Sequence, residues 1–423
     1  MDQARTRAYP SEEGGEGEPL NLGFTGRLFL KALRGLKGGR LGVRIGDHHE
    51  VFGEAEASLR AEVEITDLRA FRAAVTEGEV GLGDAYLMGW WHTDNLPDLV
   101  RIAVRNLAEM DRAGGWLAAL GKALNRLRHR RRDNTVAGSR ENISAHYDLG
   151  NDFYRLWLDP TLAYSCAVFE RADEPLAEAQ TRKFETLCRK LQLKPGEHLL
   201  EIGTGWGGFA LHAVKEHGVK VTTTTISREQ HDYAQALFER EGVADRIDLR
   251  FEDYRNLTGT YDKAVSIEMF EAVGLKHYDT YFGAVDRLLA PSGTFLLQTI
   301  TMNEGRFPEY IRSSDWIQRR IFPGAELSSV SEILRSLGRS TSLNLFHLEE
   351  FGRHYALTLR RWREAFLDHL DAVRALGYDD RFIRMWEYYL ASCEGAFQER
   401  YIGVAHLHLV KRDCDRALPN EGF

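Results

Sequence analysis

The sequence predicts an α/β protein built on a doubly wound, mainly parallel sheet, with a small α+β domain ahead of it. Three observations predict this. From residue 145 onward, apolar strand-like runs alternate with helical stretches, as in a parallel sheet covered by helices. At 199–214, LLEIGTGWGGFALHAV, a buried strand passes through Gly203, Gly205, Gly207 and Gly208 into a helix, the arrangement of a nucleotide-type site. Before residue 112 the pattern is different, with short alternating strands in 41–66 and helical stretches in 67–110.

The chain of 423 residues is 43% hydrophobic and 28% charged, which fits a globular protein. A net charge of −8 gives no global attraction to nucleic acid, so an anionic partner must be met by a local patch. No run of 18 apolar residues suggests a membrane-spanning helix. Cys166, Cys188, Cys393 and Cys414 are widely spaced and form no CxxC pair, which argues against zinc and against a disulfide framework. These features make the cytoplasm the expected compartment. Nothing fixes the oligomeric state, and a homodimer is compatible with the sequence.

The first 20 residues are polar and Gly/Glu-rich and are expected to be disordered. FTGRLFLKALRGLK, 24–37, places Phe24, Leu28, Leu30, Leu33 and Leu36 among basic residues, as an amphipathic helix does. Such a helix packs on its domain or lies on a membrane surface, and the ordinary packed role is the more frequent. LGVRIGDHHEVFG and ASLRAEVEIT alternate as strands, and helices follow through GLGDAYLMGWW, giving a domain over 21–112. Residues 113–144 read as a basic linker that includes LNRLRHRRR, either solvated or in contact with anionic headgroups. In 145–415 the expected strands are HLLEIG, KVTTTTIS, IDLRFED, YDKAVSIEMF, GTFLLQTI and a last one in GVAHLHLVKR; 353–400 is strongly helical. The helix after the second strand should start at Ser227, whose SREQ text resembles a capping box.

The glycine turn alone does not identify its ligand. A dinucleotide site has an acidic residue about 20 positions further on, and VTTTTIS has none there. No lysine follows the glycines, which excludes a P-loop. Glu201, just before the turn, is placed to meet an amine, which fits S-adenosylmethionine. FEDYRNL ends the third strand, where Asp253 would accept the adenine amine and Tyr254 would flank the ring.

Longer segments are more specific. AHYDLGNDFYRLWLDPTLAYSCAVF, LLEIGTGWGGFA, TTISREQ, EDYR, MFEAVG, SSDWIQRRIFPGAEL, FGRHYALTLRRWR and YYLASCEGAF resemble the cyclopropane-fatty-acyl-phospholipid synthases and their mycolic-acid relatives across roughly 145–410. GDAYLMGWW resembles the N-terminal domain of bacterial members. The resemblance implies a seven-stranded, Rossmann-like class I methyltransferase domain with helical insertions, and a lipid-associated N-terminal domain. It implies an enzyme of the cytoplasm, reversibly docked on the membrane. That enzyme would move the methyl group of S-adenosylmethionine to the cis double bond of a phospholipid acyl chain and close a cyclopropane ring.

The donor site implied comprises Tyr164, Ser165, the glycine turn, Thr225, Gln230, Asp253 and Tyr254. The family's base is a bound bicarbonate, whose binding residues correspond to Cys166, Glu271, the backbone of Ile300, and Tyr355. A fifth position, usually His, is Gln298 in LLQTI, and Ala272 stands where His is frequent. Gln hydrogen-bonds but carries no charge. A methyl- or methylene-branched product therefore stays open beside the ring, as does a non-catalytic lipid-binding relative. Cys393 corresponds to a cysteine considered as a nucleophile, although the chemistry needs no thiolate. His146 fits a packing role better than a catalytic one. Trp90, Trp91, Trp316 and Trp362 suit a lipid tunnel or a core equally.

Overall fold

The computed structural model describes residues 22–107 and 149–414. The N-terminal 20 residues, the basic linker with Arg128 and Arg130–Arg132, and His146 lie outside the described residues. The N-terminal unit runs α1 (Gly23–Leu33), β1 (Arg40–Ile45), β2 (His48–Gly53), β3 (Arg60–Ile65), α2 (Arg69–Glu77), α3 (Glu79–Leu87) and β4 (Trp91–Thr93). Its sheet order is β2-β1-β3-β4, with only the β1–β3 pairing parallel. The alternating apolar residues of the strands, Val43, Phe52 and Val63 among them, meet Leu30 and Leu33 of α1 and Phe71 of α2 in one core. Leu30 and Leu33 of α1 are thus packed on their own domain, while Phe24 projects, 74% exposed.

The second unit alternates strand and helix. It contains α4 (Leu176–Leu191), β5 (His198–Ile202), α5 (Gly208–His217), β6 (Lys220–Thr225), α6 (Arg228–Arg240), β7 (Ile247–Phe251), β8 (Tyr261–Ile267), α7 (Tyr278–Leu288), β9 (Leu289–Met302), α8 (Val330–Ser340), β10 (Asn344–Glu350), α9 (Gly352–Asp368), α10 (Asp380–Gln398) and β11 (Ile402–Val410). The sheet order is β10-β11-β9-β8-β5-β6-β7, seven strands in which β11 alone runs against its neighbours. Strand order reverses between β5 and β8, which opens a crevice at their carboxyl ends. Ser227 caps α6, its hydroxyl accepting from the Gln230 amide at 3.3 Å. The edge strand β10, NLFHLEE, escaped the sequence reading because it lacks clean alternation and pairs only with β11.

The two units meet over polar and aromatic contacts. Asp84 of α3 takes hydrogen bonds from the Trp316 indole (3.1 Å) and from the Arg320 guanidinium (2.9 and 2.6 Å). Gly83 permits the approach: a Cβ there would lie 2.5 Å from the Trp316 ring. Glu399 receives Arg101 and Arg105, and Tyr86 donates to Glu387 at 3.0 Å. The arginine pairs are part-exposed and contribute up to about 1 kcal/mol each.

Candidate active site

The glycine turn closes β5 with Gly203, Gly205 and Gly207 at φ of 102°, 52° and 89°. A Cβ on Gly205 would meet no atom within 4 Å, so this backbone faces open space. That space is a cavity of about 770 Å³. Tyr164, Ser165, Glu201, the turn, Thr225, Gln230, Asp253 and Tyr254 line it together with Glu268, Glu271, Ile300, Tyr355 and Cys393. The topology explains this: β5, β6, β7 and β8 run parallel, so the loops after them all emerge at the same carboxyl end of the sheet. The far wall comes from the N-terminal unit and includes Leu28 and Phe29 of α1, Val75 of α2, Leu82 of α3 and Val104.

The sequence-predicted donor residues are held by one another. Thr225 Oγ1 donates to Gln230 Oε1 at 2.9 Å. Glu201 is 1% exposed and accepts from Thr223 Oγ1 at 2.5 Å; burial pushes its carboxyl up to about 8. Asp253 is clamped by the Arg255 guanidinium at 2.7 and 2.8 Å, which leaves lone pairs on its oxygens for a further donor. Tyr254 packs edge-on against Tyr281, and the Tyr164 hydroxyl lies 2.9 Å from that of Tyr389. Ser165 Oγ accepts at 2.7 Å from Lys183, a fully buried lysine that burial lowers to about 8. Sequence reading missed Lys183 because EAQTRKFETL scans as the solvated face of an amphipathic helix.

Two carboxyl groups lie deeper. Glu268 follows β8 at φ 51°, a left-handed conformation costing a non-glycine residue about 1–2 kcal/mol. Its Oε1 accepts from the Cys166 amide at 2.9 Å and from Gln298 Nε2 at 2.7 Å; its Oε2 accepts from the Tyr355 hydroxyl at 2.7 Å. Glu271 Oε1 accepts from the Ile300 amide at 2.6 Å and from Thr299 Oγ1 at 2.9 Å, while its buried Oε2 has no hydrogen-bond partner. Burial, then the charge of Glu268, push Glu271 up to about 7. Burial raises Glu268 as well, but Tyr355, Gln298, the Cys166 amide and the Lys183 charge all oppose it. The net shift of Glu268 is upward, while three donors and no acceptor favour its carboxylate form.

The Gln298 orientation is fixed from behind. His406 Nδ1 lies 2.8 Å from the Lys190 ammonium, which only donates, so the proton of this imidazole sits on Nε2. His406 Nε2 therefore donates to Gln298 Oε1 at 2.9 Å, and the amide NH₂ is left facing Glu268. Burial holds His406 well below the ordinary histidine range, so it stays neutral.

Residues 135–407 match the family model described as mycolic acid cyclopropane synthetase. The chain belongs to that family. It is 38% identical over 348 residues to the cyclopropane-fatty-acyl-phospholipid synthase of Escherichia coli strain K12, covering 82% of this chain and 86% of that one. It is 36% identical over 342 residues to a tuberculostearic acid methyltransferase of Mycobacterium tuberculosis, 79% of each chain. Among solved structures, a cyclopropane synthase from Mycobacterium tuberculosis matches at 31% identity and a TM-score of 0.60, covering 64% of this chain and 98% of that one. A mycolic acid cyclopropane synthase complexed with SAH and CTAB matches at 32% identity and a TM-score of 0.60, with the same coverage. This member of the family is an S-adenosylmethionine-dependent methyltransferase that acts on unsaturated acyl chains.

The bicarbonate that the family resemblance implies does not fit the residues of this member. Cys166, Gln298 and Tyr355 already donate to Glu268, and the Ile300 amide donates to Glu271. A bicarbonate would have to displace the Glu268 carboxylate and bring another anion beside Glu271. Glu268 was legible in SIEMFEAVG as a carboxylate three residues before Glu271 at a strand end, but local sequence does not reveal which donors converge on it. Cys393 borders the cavity with its thiol pushed up by burial, which leaves no thiolate to act as a nucleophile. Cys166 is likewise a buried thiol; its backbone, not its sulfur, meets the carboxylate. Of Trp90, Trp91, Trp316 and Trp362, Trp316 lines the cavity, Trp91 and Trp362 are core, and Trp90 lies under Arg69. The Cys188 thiol lies with His212 and His217 within 4.8 Å; both imidazoles face Glu185 Oε2, which accounts for that grouping by hydrogen bonds.

Proposed function

We propose that this enzyme alkylates the cis double bond of an unsaturated acyl chain carried by a membrane phospholipid and closes a cyclopropane ring. One observation carries the reading. The cavity runs from the glycine turn, past the two carboxyl groups, to an apolar wall built by a different unit of the chain. A donor of nucleoside size fills the polar end, and the remaining apolar space suits a hydrocarbon chain. Its tail would meet Leu28, Phe29 and Val104.

The donor would lie with its amine at Glu201, its ribose at Thr225 and Gln230, and its adenine between Asp253 and Tyr254. The sulfonium methyl then faces the aromatic and carboxyl groups beyond Tyr164. The alkene π pair forms the new C–C bond, the C–S bond breaks, and its pair stays on sulfur. A carbocation results on the neighbouring chain carbon. Holding both partners in line supplies the rate, and a dry pocket keeps water from trapping the cation. Proton loss from the new methyl group closes the ring.

A second reading, a methyl- or methylene-branched chain, is favoured by Gln298, which stands where the family usually has His. There the proton leaves a chain carbon instead. Incubation of the purified protein with S-adenosylmethionine and dioleoyl phospholipid vesicles, followed by proton NMR of the fatty acids, tests both. Ring-methylene signals support the first reading and vinylidene or branched-methyl signals the second. Donor binding with no turnover on any unsaturated lipid would mark a non-catalytic relative. Docking is assigned to Phe24 and to the arginines of the linker, which together give an apolar and a cationic contact with a bilayer surface. The cytoplasmic face of the membrane is the corresponding location.

A further inference from the structure

We propose that Glu268 is the general base of this enzyme, a built-in carboxylate that replaces bicarbonate. The inference rests on the methyl-transfer reading above and goes beyond it by naming the group that takes the proton.

Four observations converge. The Glu268 carboxylate is planar and accepts from three donors on three separate elements: the Cys166 amide, the Gln298 side chain and the Tyr355 hydroxyl. These are three of the groups that an exogenous anion would need. Glu268 holds a left-handed backbone conformation, φ 51°, at the end of β8. Such a conformation persists in a non-glycine residue only where surrounding interactions enforce it. The donors are themselves set: His406, oriented by Lys190, turns the Gln298 NH₂ toward the carboxylate. Glu268 also lines the cavity that holds the glycine turn, so it has access to a substrate there. A carboxylate so placed completes the reaction in balance. Its oxygen takes the proton, the C–H pair forms the last C–C bond, and the proton passes to water as product leaves. Glu271 serves as a positioning residue: Ile300 and Thr299 hold it, and its carboxyl, pushed up by burial and by the charge of Glu268, resists a second negative charge beside Glu268.

The experiment uses the full chain with dioleoyl phospholipid vesicles in buffers stripped of carbon dioxide or supplemented with bicarbonate. Glu268→Gly removes the carboxylate and leaves a residue suited to positive φ; Glu268→Gln keeps the volume without the charge. Calorimetry with S-adenosylhomocysteine verifies the donor site of each. The wild type is expected to turn over equally in both buffers. Glu268→Gly should lose on the order of 100-fold without bicarbonate and recover at least about tenfold with it; Glu268→Gln should lose as much and recover nothing, because the space is filled. A second readout is independent of turnover: ¹³C-bicarbonate NMR should detect saturable binding to Glu268→Gly and none to the wild type. Slowing of the wild type on depletion, full activity of Glu268→Gly without bicarbonate, or saturable ¹³C binding to the wild type would overturn the assignment. If the wild type leaves unsaturated lipid untouched, the methyl-transfer reading fails, and the NMR comparison still decides whether Glu268 fills the anion site.

Discussion

Glu201 ties donor affinity to pH. Burial pushes its carboxyl up to about 8, opposed by the hydrogen bond from Thr223 and the charge of Lys183. A donor amine placed beside it needs the carboxylate, so binding below that value must first remove a proton. That removal costs about 1.4 kcal/mol per pH unit below 8, or about 2.7 kcal/mol at pH 6, close to 100-fold in affinity. S-adenosylhomocysteine should therefore bind the wild type more tightly as pH rises from 6 to 8, with protons released. Lys183 and Glu271 titrate nearby, with values of about 8 and about 7, so the comparison with Glu201→Gln isolates this residue. Calorimetry in buffers of different ionisation enthalpy reads both the affinity and the protons released. Stability follows the same linkage. The folded value lies above the ordinary one, so the donor-free chain should lose stability as pH rises from about 4.5 to 8, and Glu201→Gln should flatten that fall. Equal pH slopes for the two proteins, in binding and in melting, would refute the placement of Glu201 against the amine.

Three further outcomes are expected. Gly205→Val puts a β-branched side chain at φ 52° into the donor space; overpacking of about 1–3 kcal/mol should weaken S-adenosylhomocysteine by roughly 5- to 150-fold while the N-terminal unit stays folded by circular dichroism, and undiminished affinity in a folded variant removes the donor from this turn. Cys393→Ser should keep turnover within about twofold, because a protonated thiol contributes packing only; a loss of the size expected of a nucleophile restores a covalent role. Replacing Arg128, Arg130, Arg131 and Arg132 by Gln should weaken sedimentation with anionic vesicles and flatten its salt dependence; unchanged binding at low salt makes the segment a linker and nothing more.

The sequence by itself determined what depends on neighbours along the chain. The glycine turn, Ser227 as a helix cap and the alternation of strand and helix all follow from local backbone chemistry, and each stands where the pattern put it. The strands of the smaller sheet, β1 to β4, likewise rest on alternation, a short-range signal. The family was legible because long segments such as HYDLGNDFY and SSDWIQRRIFPGAEL carry more information than any glycine motif.

Tertiary structure decided the rest. It brought Leu28 and Phe29 of α1 across to the wall of a cavity whose other end is Gly205, and it split an apolar stripe between core and pocket. It turned Lys183 inward from a helix that reads as charged surface. It placed Cys166, Gln298 and Tyr355, up to 189 positions apart in number, around one carboxylate that local reading left unremarked. Charge at a buried site depends on which donors converge there and how much water is excluded, and neither quantity is a property of any stretch of sequence; both exist only once β8, β9 and α9 pack together.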